Sequence, residues 1–243
     1  MGRHDSRTNN AAGFSLIELV IAMAITLVLL GIASTLLARA FNTRRREDQR
    51  TDAMADAQRA LSTMSHEIAS AGFNLTNNGI VDGDSQVDAN GNGTIRVRAN
   101  LNKFDSSVTQ AARDGIGVNT EDAGEDIKYF VVPTADTSYL ARYDRYAGPA
   151  TVLANRIDSF RVQFYDERVT YTTGTCDAPL SNVQNRTGAV EAQVNPSQAK
   201  YLVLAICVKL EAVGKPSSPG YQPESRVLLV SDVALRNATG VKY

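Results

Sequence analysis

The sequence has few of the residues from which metal centres and many active sites are built. Among its 243 residues are only two histidines, His4 and His66, and two cysteines, Cys176 and Cys207. Their number and spacing do not match a zinc site. The sequence also has no P-loop, no dinucleotide-binding fingerprint and no nucleophile elbow. These absences predict that the chain is not an enzyme, and calcium is the one cofactor for which it offers a candidate site.

An excess of positive charge is absent as well. Lysine and arginine together number 25, aspartate and glutamate 26, and the formal net charge is -1. Nucleic-acid binding depends on a basic surface that displaces counterions from phosphates. The charge balance therefore argues against nucleic acid as the main partner. A hydrophobic content of 43% is typical of a globular chain rather than a disordered one.

One long hydrophobic run is present near the N-terminus. Residues 14–38 are apolar or small except for Glu18, and this stretch of 25 residues has the length of a membrane-spanning helix. Residues 1–13 before it are polar and slightly basic, and read as a leader peptide. A secretory signal would have a shorter apolar run followed by a small-residue cleavage site, whereas the best such junction here precedes the run. We therefore predict that the span is retained.

The helical pattern continues beyond the span, over residues 39–71. Apolar side chains recur there at spacings of three and four, with charged residues on the opposite face. These apolar positions are Ala53, Ala57, Ala60, Leu61, Met64 and Ile68. The pattern predicts one helix from Phe14 to about Ala71, with Gly72 as its stop.

The rest of the chain, residues 72–243, predicts a β-rich head domain. Short runs with β-like patterns occupy residues 94–98, 127–132, 138–143, 156–165, 201–210 and 226–235. Polar segments rich in turn residues occupy 76–93, 105–124, 171–198 and 212–224, and we expect loops there. The predicted fold is α+β, with the amphipathic half of the long helix packed on a mostly antiparallel sheet.

The junction Gly13-Phe14-Ser15-Leu16-Ile17-Glu18 resembles the class III signal of type IV prepilins and of type II secretion pseudopilins. The resemblance implies a pilin-like fold. It also implies that prepilin peptidase cleaves the chain between Gly13 and Phe14 and N-methylates Phe14. It also implies that Glu18 pairs with the N-terminal amine of a neighbouring subunit. A carboxylate in an apolar span needs such a partner, and the alternative is that Glu18 reaches the interface by itself.

The same resemblance implies a single-pass protein of the inner membrane, with a cytoplasmic leader and a periplasmic head. The cluster Arg44-Arg45-Arg46 opposes this orientation, since the positive-inside rule would place it in the cytoplasm. We predict a cytoplasmic leader, because recognition by the peptidase requires it. The arginines could bind acidic neighbours or lipid headgroups, or could simply form a solvated helix face.

Beyond the first 60 residues the chain resembles the minor pilin family PilW. The matching segments are HEIASAGFN, TIRVRANLN, GEDIKYFV, ANRIDSFRVQFYD and a last strand ending VALRN. The resemblance implies a minor pilin that helps to initiate a type IV pilus, at its tip or base, together with other minor and major pilins and a PilY-type tip adhesin. The alternatives are a minor pseudopilin similar to GspJ, and a membrane-anchored binding module or adhesin.

Two smaller features concern the head domain. Cys176 and Cys207 are an even pair in a domain placed outside the cytoplasm, which predicts a disulfide rather than two free thiols. The run from Asp88 through Asn90 and Asn92 matches the first half of an EF-hand loop. Its twelfth position is Ala99 instead of glutamate, so an ordinary β-turn explains the same residues, and calcium remains a weak candidate.

Overall fold

The computed structural model describes residues 15–88, 91–101, 120, 122–134 and 137–238. Helix α1 spans Leu16–Ala69, 54 residues, and at a rise of about 1.5 Å per residue it is about 81 Å long. It starts after the N-cap Ser15 and ends at the C-cap Ser70. The chain then turns away through Gly72, which has a φ of 77°. The predicted single helix and its stop are confirmed.

The second half of α1 packs on the head. All six apolar positions predicted to face it are buried: Ala53, Ala57, Ala60, Leu61, Met64 and Ile68. Three of these are alanines, so the strands can approach the helix axis closely. Burial of this amphipathic face against the head supplies most of the stability of this half of the helix.

Among the described residues of the head, nine strands are found, and every pair that they form is antiparallel. They are β1 (Ile95–Arg98), β2 (Asp126–Val132), β3 (Tyr139–Asp144), β4 (Thr151–Asn155), β5 (Ile157–Tyr165), β6 (Thr170–Thr173), β7 (Leu180–Gln184), β8 (Tyr201–Leu210) and β9 (Ser225–Ala234). The predicted α+β class, a long helix on antiparallel β-structure, is confirmed.

The strands form three sheets rather than the one sheet that we expected. Strands β1-β2-β3-β4 form one, β5-β8-β9 the second and β6-β7 a separate hairpin. Strand β4 was not predicted. It is separated from β5 only by Arg156, whose φ of 59° lies in the left-handed region and turns the chain from one sheet into the next. Helix α1 packs against β4, β8 and β9, and so bridges the two larger sheets.

Strand β8 is buried on both faces, which explains its unbroken apolar sequence. Leu202, Leu204 and Ile206 face the main core together with α1. The alternate side chains of Tyr201 and Val203 belong to a second apolar cluster, formed with residues of the β6-β7 hairpin and its approach. The hairpin therefore covers the outer face of the second sheet, and the prediction of a loop over residues 171–198 is wrong for this part of the segment.

Candidate functional site

The N-terminal half of α1 projects from the head as an apolar stalk, residues 16–38. Its large hydrophobic side chains are all at least half exposed, with Leu16 at 80% and Leu27 at 67%. An 18-residue window of this helix is apolar enough to cross a membrane, and none of it is buried. A soluble monomer rarely exposes so large an apolar surface. The stalk therefore needs lipid or other subunits around it.

The two threonine hydroxyl groups inside the stalk are satisfied by the helix itself. Thr26 donates a hydrogen bond to the carbonyl of Ala22, and Thr35 donates to the carbonyl of Ile32 at 2.8 Å. Such internal bonds remove the cost of placing a hydroxyl in an environment without water. Glu18 is the one ionisable residue of the stalk, and a carboxylate in an apolar span needs a partner.

Glu18 lies in the first turn of α1. The backbone N–H of Ser15 donates to its carboxylate at 3.4 Å, so the side chain folds back over the start of the helix. The positive end of the helix dipole favours a carboxylate there. Gly13 and Phe14, the predicted cleavage positions, lie outside the described residues. By covalent order, the amine that a cut before Phe14 would create belongs to the residue directly before Ser15.

Arg46 fixes the head to α1 near the middle of the helix. Its guanidinium donates to the carbonyl of Glu211, to the carbonyl of Pro223 at 2.8 Å and to the hydroxyl of Ser225 at 2.6 Å. Its exposure is only 8%. The β8-β9 connection is thereby held against the helix just above the stalk.

The prediction of a solvated face for the arginine cluster is wrong for Arg46, while Arg44 and Arg45 are exposed. Arg46 precedes Ala53 by seven residues, or two helical turns, and so lies on the face that packs against the head. That spacing was the signal available in the sequence. Hydrophobic periodicity does not detect a charged residue on this face, because a guanidinium can be buried only where carbonyls receive it.

Substituting Arg46 by methionine should free the β8-β9 connection from the helix. The change keeps the aliphatic stem but leaves two carbonyls and the Ser225 hydroxyl without their donor, at a cost of about 1 to 3 kcal/mol. We expect faster hydrogen exchange over residues 211–225 and a lower unfolding midpoint for the detergent-solubilised chain. Arg45→Met removes the same charge from an exposed neighbour and should change neither quantity. Equal effects of the two substitutions would contradict this role of Arg46.

The two cysteines form the predicted disulfide. Cys176, in the β6-β7 connection, is joined to Cys207 of β8 with 5.5 Å between their Cα atoms. Cys207 is 1% exposed and Cys176 is 8% exposed. The bond ties the tip of the hairpin to the strand that runs through the centre of the second sheet.

The candidate calcium residues take part in a local turn. The carboxylate of Asp88 accepts from the backbone N–H of Asn92 at 2.8 Å, and the side-chain oxygen of Asn92 accepts from the N–H of Phe160 at 3.2 Å. Asn90 lies outside the described residues. Within the described part of the chain, no group of three or more histidine, cysteine or acidic residues could hold a metal ion. Calcium binding stays a prediction, for which the oxygen of Asn92 would have to serve the Phe160 amide and the ion together.

One comparison with known proteins supports the prepilin-like motif predicted at the start of the chain. The model of the prokaryotic N-terminal methylation motif matches residues 8–34. A type IV-like pilin from Thermus thermophilus is similar in structure, with 12% identity and a TM-score of 0.36 over 76% of this chain and 98% of that one. So low a TM-score does not establish a shared fold. No curated protein sequence matches the chain.

The methylation motif covers both predicted cleavage residues and the first part of the stalk. From Leu16 onward the motif belongs to one continuous helix. The first half of this helix is exposed, and its second half is packed on antiparallel sheets. This combination fits a membrane-anchored, pilin-like protein.

Proposed function

We propose that the chain is a minor pilin of a type IV pilus, of the PilW kind, which helps to initiate the filament. The observation that supports this most is the continuity of α1. One helix carries a fully exposed apolar stalk and also the face that is buried in the head. A subunit built in this way can leave the bilayer only by exchanging lipid for the stalks of other subunits, which is the arrangement of a filament with an apolar centre.

The proposed maturation uses the start of the chain as a substrate. Prepilin peptidase cuts between Gly13 and Phe14 and methylates the new amine, while residues 14–38 stay in the inner membrane with the head in the periplasm. The carboxylate of Glu18 then pairs with the amine of a neighbouring subunit. Its position at the helix start supports this, because the carboxylate stands at the end of the helix at which the amines of adjacent subunits would enter.

The proposed partners are other minor and major pilins and, at the tip, a PilY-type adhesin. Partner proteins that bind the head would contact a surface that α1 does not cover. The β6-β7 hairpin supplies such a surface, since it is held on the side of the second sheet opposite the helix. Cross-linking in the host followed by mass spectrometry would identify which of these proteins are neighbours.

Processing is tested by the intact mass and the N-terminal sequence of the membrane-extracted chain, from hosts with and without prepilin peptidase. We expect a chain that starts at methylated Phe14 only when the peptidase is present. Retention of residues 1–13 in the normal host would leave a membrane-anchored binding module or adhesin as the better interpretation. A glycan and host-protein binding screen would then be the next measurement.

Replacing Glu18 by alanine should leave cleavage intact and reduce filament formation several-fold or more. The physical reason is that an amine entering an apolar environment without a countercharge carries a cost of a few kcal/mol. Filaments are counted by electron microscopy after the processed fraction has been checked by mass. Glu47→Ala, an exposed acid on the same helix outside the stalk, is the matched control. Normal filament numbers with Glu18→Ala would reject the pairing.

A minor pseudopilin of a type II secretion system, similar to GspJ, would share the cleavage site and the stalk. Deletion of the gene in its host separates the two functions, since loss of surface pili with normal secretion supports the pilus. Loss of secreted protein with normal pili would support the secretion system instead.

A further inference from the structure

The β8-β9 connection reaches down the helix as far as the end of the stalk. The side chain of Asn42 donates to the carbonyl of Pro219 at 3.3 Å. Gly220 lies so close to α1 that a Cβ on it would be 2.6 Å from the Cα of Arg39. The main core begins on α1 only at Ala53, which is about 21 Å further along the helix. The connection is therefore a projection of the head toward the apolar stalk.

This projection, residues 212–223, is held in shape by its own hydrogen bonds. The backbones of Val213 and Gln222 exchange hydrogen bonds of 2.9 and 3.0 Å across its base. The hydroxyl of Ser218 donates to the carbonyl of Lys215 at 2.6 Å, and Arg46 holds the base on the helix. An open groove of about 510 Å³ remains between the projection and α1, lined by Arg39, Thr43, Ser217, Ser218, Gly220 and Tyr221 among others.

Charge at this level is of one sign. From residue 19 to residue 46 the helix contains four arginines and no acid, and the projection contains Lys215 and no acid. Arg46 is used internally, whereas Arg39, Arg44, Arg45 and Lys215 are exposed. The chain as a whole has a net charge of -1, so the composition conceals this local excess of cations. Arg39 lines the groove itself, whereas Arg44 and Arg45, five and six residues further along, lie on other sides of the helix.

The position of the groove along the helix indicates which ligand it can meet. Residues 16–38 span about 35 Å, slightly more than the hydrocarbon core of a bilayer. Arg39 and the tip of the projection consequently reach the headgroup layer when the stalk is inserted. Hydroxyl groups, a tyrosine and guanidinium groups beside that layer suit a phosphodiester with net negative charge.

We propose that the groove between α1 and the β8-β9 projection binds the headgroups of anionic phospholipids in the periplasmic leaflet, before the subunit enters a filament. This inference rests on the proposed membrane insertion. The bound lipids hold the head upright on the membrane surface. They must be released when the stalk is extracted, so the site opposes premature departure from the bilayer.

The test uses the full processed chain in nanodiscs, with a fluorophore on Ser217→Cys. Quenching by trace spin-labelled phosphatidylglycerol is compared with quenching by spin-labelled phosphatidylcholine. We expect the anionic lipid to quench about fivefold more or better, since even one well-placed cation gives about that factor. Inorganic phosphate added to the detergent-solubilised chain should not change the emission, which separates a lipid headgroup from free phosphate as the ligand.

Three variants locate the effect. Replacing Arg39, Arg44, Arg45 and Lys215 by glutamine should abolish the preference for phosphatidylglycerol. Gly220→Ala should weaken it at unchanged charge, because a side chain at this position, where φ is 78°, pushes the projection off the helix. The matched control removes three exposed cations of the head, Arg59, Arg145 and Arg186, and should keep the preference.

Equal quenching by the two lipids, or an equal loss in the control variant, would overturn the inference. So would a groove that becomes protected only when other pilin subunits are added, which would assign it to an acidic protein neighbour. Alkaline carbonate extraction is run on the same samples. A chain released by carbonate was never inserted, and the proposed function then fails together with the site, whereas an inserted chain without lipid preference overturns the site alone.

Discussion

A chain with Cys176→Ala and Cys207→Ala should lose about 3 to 4 kcal/mol of unfolding free energy, because the disulfide closes a loop between residues 31 positions apart. The loss should be concentrated in the β6-β7 hairpin. Its strands have only four and five residues, too few for an isolated hairpin to be stable. Guanidinium unfolding of the detergent-solubilised chain measures the free energy, and hydrogen exchange locates the change.

Reduction provides the control for this prediction. Wild-type protein treated with a thiol reductant should lose a similar amount of stability, whereas the alanine variant should be insensitive to the reductant. An unchanged midpoint for reduced wild type would show that packing alone holds the hairpin. Stable reduced protein beside an unstable double variant would assign the loss to the two buried side chains instead of the bond.

The long helix could be predicted because its signals are local and repeated. Apolar spacing over residues 53–68 gives its buried face, and an unbroken apolar run gives the stalk. Strand β8 was also predictable to the residue, since all but one of its ten side chains are buried and its sequence is correspondingly apolar. In each case the burial pattern follows directly from the composition of the segment.

The hairpin and strand β4 were missed for a different physical reason. Strands β6 and β7 are mostly polar and exposed, and the few side chains that hold them, such as Tyr171, Leu180 and Val183, do not alternate over a long enough run. Their stability comes from a distant strand through the disulfide. Strand β4 precedes β5 in the chain with only Arg156 between them, where the backbone passes from one sheet to the next. Sequence analysis predicted a strand over residues 156–165 and none directly before it.

The residues of the candidate site also fall into those that the sequence predicts and those that depend on the fold. The cleavage junction and Glu18 follow a contiguous motif and could be read directly. Arg46 and the projection from residue 212 to residue 223 lie more than 160 positions apart, and their contact depends on how β8 and β9 lie along the helix. The spacing of Arg46 from Ala53 indicates the face on which it lies, but the carbonyls that receive its guanidinium are known only from the fold, in which Arg44 and Arg45 stay exposed.

The upper end of α1 is joined to the first sheet by a charged cluster of Glu67, Tyr129, Arg142 and Asp144. Tyr129 and Arg142 are directly opposite each other on β2 and β3. The hydroxyl of Tyr129 donates to the carboxylate of Glu67, and the guanidinium of Arg142 donates to it at 3.0 and 3.1 Å. Burial and the charge of Glu67 raise the pKa of Tyr129, so the phenol remains a donor at all moderate pH values.

Glu67→Leu should cost about 2 to 4 kcal/mol, because it leaves a largely buried guanidinium and a fully buried phenol without their acceptor. The nearest remaining carboxylate for Arg142 is that of Asp144, at 3.7 Å. Glu67→Gln keeps an accepting oxygen and should cost about 1 kcal/mol. Removing the cation as well, in Glu67→Leu with Arg142→Leu, should recover part of the stability lost in Glu67→Leu alone, since the guanidinium is then no longer stranded and only the Tyr129 phenol lacks its acceptor. Guanidinium unfolding of the wild type, Glu67→Leu, Arg142→Leu and the double variant gives the coupling energy, and strictly additive losses would show that the cluster is a surface contact with no part in holding the helix.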